Sequence, residues 1–405
     1  MTPPSRNFSR TSMAFITFMA MTNLGFFVFQ SYYIIFLKNS GLTFTDISVI
    51  FFANFIALAL LNFPSGNFAD KYGRKKAVII GTLISGLGMI VYGLTSLLLV
   101  FLAMEIVLAL ASSLQIGALE AWYIDAVRAE KRESEAERTF SLTQGISYFL
   151  GLLAGIIGSI LAVFFLSLPM VVGGIIVLFT TAIVVIGFRE NFGDVSSGFR
   201  SHVGESLRHF RESPALKRLT AGEMLRTAAS IVYFIIYQPY LVAIGLGEQY
   251  LGLFFSCLMV ASAVGSLISV RMVRFSQRYL VLMAMSGLLL TAYVLQPFTH
   301  DMILSASLFT LCGFANGVAI PAIMVWRNEL IPSRIRASSL AVLSTLLNTG
   351  NALMTLVLGP VADGTSMQVA LVLGAVLAGC AMPFYYLAHR KERAARSDAA
   401  LAQAK

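Results

Sequence analysis

Asp, Glu, Lys and Arg make up only 12% of this chain, so the few that interrupt its long apolar runs stand out. Glu105 and Glu120 lie in the run 97–124, and Glu223 and Arg226 lie near the start of the run 219–243. A titratable group in apolar surroundings is suited to carrying a proton or facing a counter-charge, so these four are candidate coupling residues. Glu223 and Arg226 are three apart, share one helical face and can pair. Arg226 could instead bind an anionic solute, close a gate, or snorkel to water from near the helix start. A second concentration of charge, Pro64-Ser65-Gly66-Asn67-Phe68-Ala69-Asp70-Lys71-Tyr72-Gly73-Arg74-Lys75-Lys76, is wedged between two apolar runs. None of this makes an enzyme. Gly86-Leu87-Gly88 lies within an apolar run rather than after a strand, and there is no Walker loop. Cys257, Cys312 and Cys380 have no paired spacing, so no disulfide, metal site or cofactor is expected. His202, His209, His300 and His389 all fall in polar segments or flanks, which excludes a histidine proton relay within the apolar runs.

The elements that position these groups follow from composition. The 405 residues are 57% hydrophobic with a mean hydropathy of +0.80. Soluble domains carry roughly 25% charged residues, and about 20 apolar residues cross the hydrocarbon core. Twelve spans are expected, near 13–37, 46–65, 77–95, 97–124, 139–163, 167–188, 219–243, 249–270, 279–298, 302–326, 337–358 and 366–388. The first run reads as retained rather than as a cleaved leader. Short segments rich in Lys and Arg stay in the cytoplasm. With the N-terminus inside, the internal segments hold Arg6 and Arg10, Lys71 to Lys76, Arg128 to Arg138, Arg189 to Arg218, Arg271 to Arg278, Arg327 to Arg336, and Arg390 to Lys405. Of the 29 Lys and Arg, only Lys38 and Arg226 lie elsewhere. The net charge of +9 is therefore a topology signal, not a sign of nucleic acid. The segment Val203–Phe210, before Pro214, reads as an amphipathic helix on the inner leaflet or as a solvated linker helix. Gly81, Ser85 and Gly88 in span 3, and Gly151, Gly155 and Gly158 in span 5, suit close helix packing.

The run Gly66-x3-Asp70-Lys71-x-Gly73-Arg74-Lys75-Lys76 closely resembles the loop between helices 2 and 3 of the major facilitator superfamily of transporters. Pro64-Ser65-Gly66-x-x-Ala69-Asp70, Glu120-Ala121-x-x-x-Asp125 and the turn Arg327–Ser338 resemble features of its bacterial members, so the resemblance covers the chain. Those relatives often place a glutamate where this chain has Asn62, a departure that removes whatever that acid does. Weak echoes between Phe29–Tyr32 and Tyr237–Tyr240, and between Glu137–Leu142 and Ile335–Leu340, fit the two related halves of that superfamily. The span 5 glycines also recur in an antiporter signature there, but the proline that ends it is missing here.

The fold that the resemblance implies is an all-α membrane protein of twelve helices in two pseudo-symmetric six-helix bundles. The expected domains are 1–188, a cytoplasmic linker 189–218, and 219–405. A latch of Gly66, Asp70, Gly73, Arg74 and Asp125 is implied, with Asp70 facing the start of span 11 near Arg336. Ordinary topogenic charge on a solvated loop is the competing reading. Glu120 could belong to the latch, and Glu105 could be structural rather than coupling. The solute path is implied to lie where spans 1, 4, 7 and 10 meet. Its candidate contacts are Asn23, Gln30, Tyr32, Gln115, Tyr233, Tyr237, Gln238, Asn316, Trp326 and, on span 11, Asn348 with Asn351. Such uncharged hydrogen-bonders suit a neutral or amphipathic organic solute, although amides and tyrosines also fasten helices together. The expectation is a monomeric secondary transporter of the bacterial cytoplasmic (inner) membrane, with both termini cytoplasmic. Its partners are a small-molecule substrate, protons and the lipid bilayer. The favoured function is proton-coupled export of hydrophobic or amphipathic compounds. The alternative is a metabolite uptake symporter or uniporter, and a lipid flippase or a non-transporting sensor remains further off.

Overall fold

The computed structural model describes residues 8–192, 199–275 and 277–403. Arg6, Lys405 and residues 193–198 of the expected linker lie outside the described residues, as do the side chains of Arg200, Arg274 and Arg396. Each of the twelve apolar runs forms helix, and no strand occurs among the described residues. In a hydrocarbon layer the backbone must bond to itself, and a helix does so within a single segment.

Span 1 is α1 (Arg10–Gln30) and, after a break at Ser31 and Tyr32, α2 (Tyr33–Asn39). Spans 2 and 3 are α3 (Phe44–Tyr72) and α4 (Arg74–Gly93). Span 4 is divided into α5 (Leu98–Gln115) and α6 (Ala118–Ala129), and spans 5 and 6 are α7 (Glu135–Ala162) and α8 (Leu168–Gly187). A further helix, α9 (Phe199–Glu212), precedes α10 (Pro214–Ala243), which is span 7. Spans 8 to 12 are α11 (Leu251–Phe275), α12 (Arg278–Leu295), α13 (Met302–Leu330), α14 (Arg336–Gly364) and α15 (Met367–Gln403).

Three local features depart from the sequence reading. The charged stretch after Pro64 is not a loop, because α3 runs through Pro64 to Tyr72 and only Gly73 separates it from α4. Gly73 has φ 112° and ψ 133°, a conformation open to glycine, and this one residue makes the whole reversal. Span 4 breaks at Ile116, where Gly117 takes φ 81° before α6 restarts. Span 7 begins earlier than expected: Ser213 caps the Leu216 N–H at 3.3 Å, and Pro214 occupies the first helical position, where its missing donor costs nothing.

The helices gather into two compact units. One comprises residues 1–195 with 246–260, the other 196–245 with 261–405. In the first, α1 packs on α7 and α8, α4 on α5 and α8, and α3 on α5. The start of α11 joins this unit through a glycine contact on α7. A Cβ on Gly155 would sit 2.2 Å from the Gly252 carbonyl, so the two backbones touch. Ser159 Oγ accepts from Leu253 N at 3.0 Å, and Ser256 Oγ donates to the Leu152 carbonyl at 2.7 Å. At the other end of the unit, Trp122 stacks on Phe188 with centroids 3.7 Å apart, beside Phe15, Phe18 and Tyr123. In the second unit α10 packs on α13 and α15, and α12 on the same two. Val203–Phe210 is part of α9, which docks on protein: Phe210 packs on Leu216, Ile331, Ile335 and Leu343, and His209 Nε2 bonds the Leu330 carbonyl at 3.0 Å.

Candidate gating and coupling site

Arg74 opens α4 directly after the Gly73 turn, which aims its guanidinium back across the end of α3. Nε donates to Asp70 Oδ1 at 3.1 Å, and Nη1 donates to Asp125 Oδ2 on α6. Arg128 reaches the other Asp125 oxygen at 3.4 Å. The fork of a guanidinium lets one cation hold two carboxylates in fixed directions, which a lysine cannot do. Arg74 is buried, so removal of its partners would leave a poorly solvated charge. Arg336 belongs to the other unit, where its Nη2 lies 3.5 Å from the Asn328 carbonyl.

The same turn has partners that the sequence did not single out. Glu190, just beyond α8, accepts from Lys75 N at 2.8 Å and caps α4. A Cβ on Gly73 would fall 2.6 Å from the Glu190 carboxyl carbon, so the glycine is also required for close approach. Arg74 N donates to the Asn191 carbonyl at 3.1 Å, and Trp122 Nε1 donates to the Arg189 carbonyl at 2.6 Å. Asn191 Nδ2 returns a bond to the Trp122 carbonyl at 3.0 Å. No spacing rule links 74 to 190, so the sequence held no signal for this. Gly66, grouped with Gly73 by the resemblance, is different. It lies inside α3, and a Cβ there would meet nothing within 4 Å. Glu120 also stands apart from the latch: it is exposed on the first turn of α6 and forms no ion pair among the described residues.

Toward the opposite end of the first unit, Glu105 on α5 is buried at 6% exposure. Tyr33 Oη donates to Oε1, and Asn54 Nδ2 donates to Oε2 at 2.7 Å and to the Glu105 carbonyl at 3.3 Å. Tyr92 Oη lies 2.9 Å from Tyr33 Oη. Side chains of α2, α3 and α4 thus converge on one carboxyl of α5, and no cation pairs with it among the described residues.

In the second unit, Glu223 and Arg226 share a face of α10, as expected, yet each reaches across to α13 instead of to the other. Glu223 meets Arg327 at 3.3 Å, while Arg226 Nη1 donates to Asn316 Oδ1 at 2.7 Å. Ser230 Oγ donates to the same Asn316 oxygen at 2.8 Å. Arg226 is 3% exposed and so does not snorkel to water.

Most of the expected solute contacts are engaged between helices. Asn23 donates to Ser147 Oγ at 2.6 Å and Gln115 to Ser85 Oγ at 3.2 Å. Tyr32 Oη donates to the Gln249 carbonyl at 2.8 Å and accepts from Gly252 N at 3.2 Å. Tyr233 stacks on Tyr237 with centroids 5.2 Å apart, and Gln238 Nε2 donates to Tyr237 Oη at 2.7 Å. Trp326 Nε1 donates to Glu392 Oε2 at 2.8 Å, and Asn351 Oδ1 accepts from Thr227 at 3.0 Å. Gln30 and Asn348 are half-buried. No group of three or more His, Cys, Asp or Glu suited to a metal occurs among the described residues.

A sequence model of the Major Facilitator Superfamily matches residues 12–241 and again 219–404, so both halves of the chain carry its pattern. The chain belongs to the Major Facilitator Superfamily. The uncharacterized MFS-type transporter YxaM of Bacillus subtilis (strain 168) is 25% identical over 255 residues, which span 60% of this chain and 61% of that relative. The crystal structure of the nucleoside transporter NupG superposes with a TM-score of 0.75 at 14% identity, covering 93% of this chain and 99% of that one. The POT family transporter PepTSo gives 0.78 at 11% identity, covering 96% and 99%. At these identities the two structures establish the fold, an all-α membrane protein with twelve spans.

Proposed function

We propose that the chain is a proton-coupled secondary transporter that exports hydrophobic or amphipathic organic compounds by alternating access. The observation that carries the coupling is Glu105, buried without a paired cation among the described residues and held by a hydroxyl donor from α2 and an amide donor from α3, with Tyr92 of α4 bonded to that hydroxyl. Tyrosine hydroxyls both donate and accept, so the contacts of Glu105 can be kept whether its carboxyl is charged or protonated. The latch reading rests on Arg74, which ties the ends of α3, α4 and α6 together beside the Glu190 cap. The neutral amides and aromatic rings along α1, α5, α10 and α13 support an uncharged or amphipathic solute. The distribution of Lys and Arg supports a multi-pass membrane protein with both termini cytoplasmic. The test is transport by proteoliposomes under an imposed pH gradient, against a panel of dyes, sugars and amino acids. Gradient-driven flux should be lost in Glu105→Gln while downhill exchange persists, and intact gradient-driven flux in that variant refutes the coupling. Accumulation of a sugar or amino acid together with protons, and no dye flux, would replace export by uptake.

A further inference from the structure

Deep in the second unit, three donors from three helices have nothing to donate to. Arg226 Nε on α10, Ser286 Oγ on α12 and Tyr385 Oη on α15 are buried without a hydrogen-bond partner. Buried donors in folded proteins are nearly always satisfied, so an orphan marks a place where something else binds. These three belong together, because the polar groups around the Tyr385 hydroxyl are Arg226, Glu223 and Ser286. We propose that they enclose a binding site for a monatomic anion, a halide such as chloride. Packing builds the site. Gly222 and Arg226 lie one turn apart on α10, and a Cβ on Gly222 would fall 2.8 Å from Tyr385 Cε1. The glycine therefore lets the phenol ring lie against the α10 backbone, beside the guanidinium. Ser286 faces the same hydroxyl from α12, which packs on α15.

Charge favours an anion over a water molecule. Glu223 is committed to Arg327 at 3.3 Å, and Arg226 Nη1 is held by the neutral Asn316. Arg226 forms no ion pair among the described residues, so two guanidinium groups stand against one carboxylate. One positive charge is left in apolar surroundings, which is costly unless a counter-charge enters. A guanidinium N–H can only donate, and both hydroxyls can turn their hydrogens toward the same point. Three donors with a net positive charge complement an anion, whereas a water would bring two more hydrogens and no charge. Enclosure sets the size. Arg226 is 3% exposed and Ser286 and Tyr385 are fully buried, as are Leu282, Leu289, Ala381 and Ala388 a turn away on α12 and α15. Groups so enclosed accommodate a single atom more readily than an organic carboxylate or a sulfate. The ion would neutralise Arg226 and fasten α10 to α12 and α15.

The test uses the full chain, purified in detergent micelles and exchanged into sodium gluconate. Thermal melts are followed as chloride or bromide replaces gluconate at constant ionic strength. The midpoint should rise and saturate with either halide. Tyr385→Phe and Ser286→Ala each remove one hydroxyl donor, so the half-saturating chloride concentration should rise about tenfold in each, the worth of one hydrogen bond to a charged group. In gluconate alone Tyr385→Phe should melt no lower than the wild type, because it removes an unsatisfied buried hydroxyl. Arg226→Gln, which keeps a donor for Asn316 and loses the charge, should not respond to halide; if it fails to fold, the two hydroxyl variants decide. A wild-type midpoint indifferent to the exchange, or one that drifts without saturating, overturns the proposal. A saturable rise left unchanged in both hydroxyl variants also overturns it, by placing the ion elsewhere.

Discussion

The two glycines of the 64–76 segment should respond oppositely to the same substitution. At Gly73 an alanine must adopt φ 112°, ψ 133°, a region that costs side-chain-bearing residues about 1–3 kcal/mol. Its Cβ would also lie 2.6 Å from the Glu190 carboxyl carbon and 2.7 Å from both oxygens, so the carboxylate must leave its place. That move breaks the 2.8 Å bond from Lys75 N and exposes the start of α4 to an unpaired donor, a further loss of about 1–3 kcal/mol. Together Gly73→Ala should destabilise by about 2–6 kcal/mol. At Gly66 the backbone is helical and a Cβ meets nothing within 4 Å. Gly66→Ala should therefore be neutral or stabilise by about 0.5–1 kcal/mol through reduced unfolded-state entropy. Reversible unfolding of the purified protein in mixed micelles, followed by circular dichroism, measures both. Equal destabilisation by the two variants would refute the claim that only Gly73 is conformationally required. A Gly66→Ala protein that is stable but transport-dead would show that this glycine is needed in another state of the cycle.

Two further outcomes follow from buried contacts. Arg327→Ala leaves Glu223 at 6% exposure without its partner and should cost about 3–5 kcal/mol; adding Glu223→Gln should recover much of the loss, and additive losses in that double-mutant cycle would deny the pair. Gly155→Ala drives a Cβ into the Gly252 backbone, whereas Gly145→Ala on the same helix meets nothing within 4 Å. The first should destabilise by about 1–3 kcal/mol and the second should not, which thermal melts of both variants will decide.

Much of the architecture was legible because it is written in local pattern. Each span is a continuous apolar run, and the bilayer leaves helix as the only way for such a run to satisfy its backbone. The Asp70–Arg74 pair was reached through the resemblance and not through helical spacing, because the helix stops at Tyr72 and the Gly73 reversal is what returns Arg74 to Asp70. Asp125 was reached only through the resemblance, because nothing in its own spacing to Arg74 requires contact.

What the sequence could not decide is which partner a long side chain selects once helices lie side by side. Glu223 and Arg226 share a face, yet α13 brings Arg327 and Asn316 within reach, and those contacts win over the local pair. Glu105 could be read as lone, but its environment is built by residues from 33, 54 and 92, and only packing unites them. The Glu190 cap and the docking of α11's first turns on α7 have the same origin. Amino-acid order settles where the chain enters apolar surroundings and where its charge stays in water. Tertiary packing settles which polar groups, once there, find one another, because in a low-dielectric interior every such group must take the nearest partner that fits.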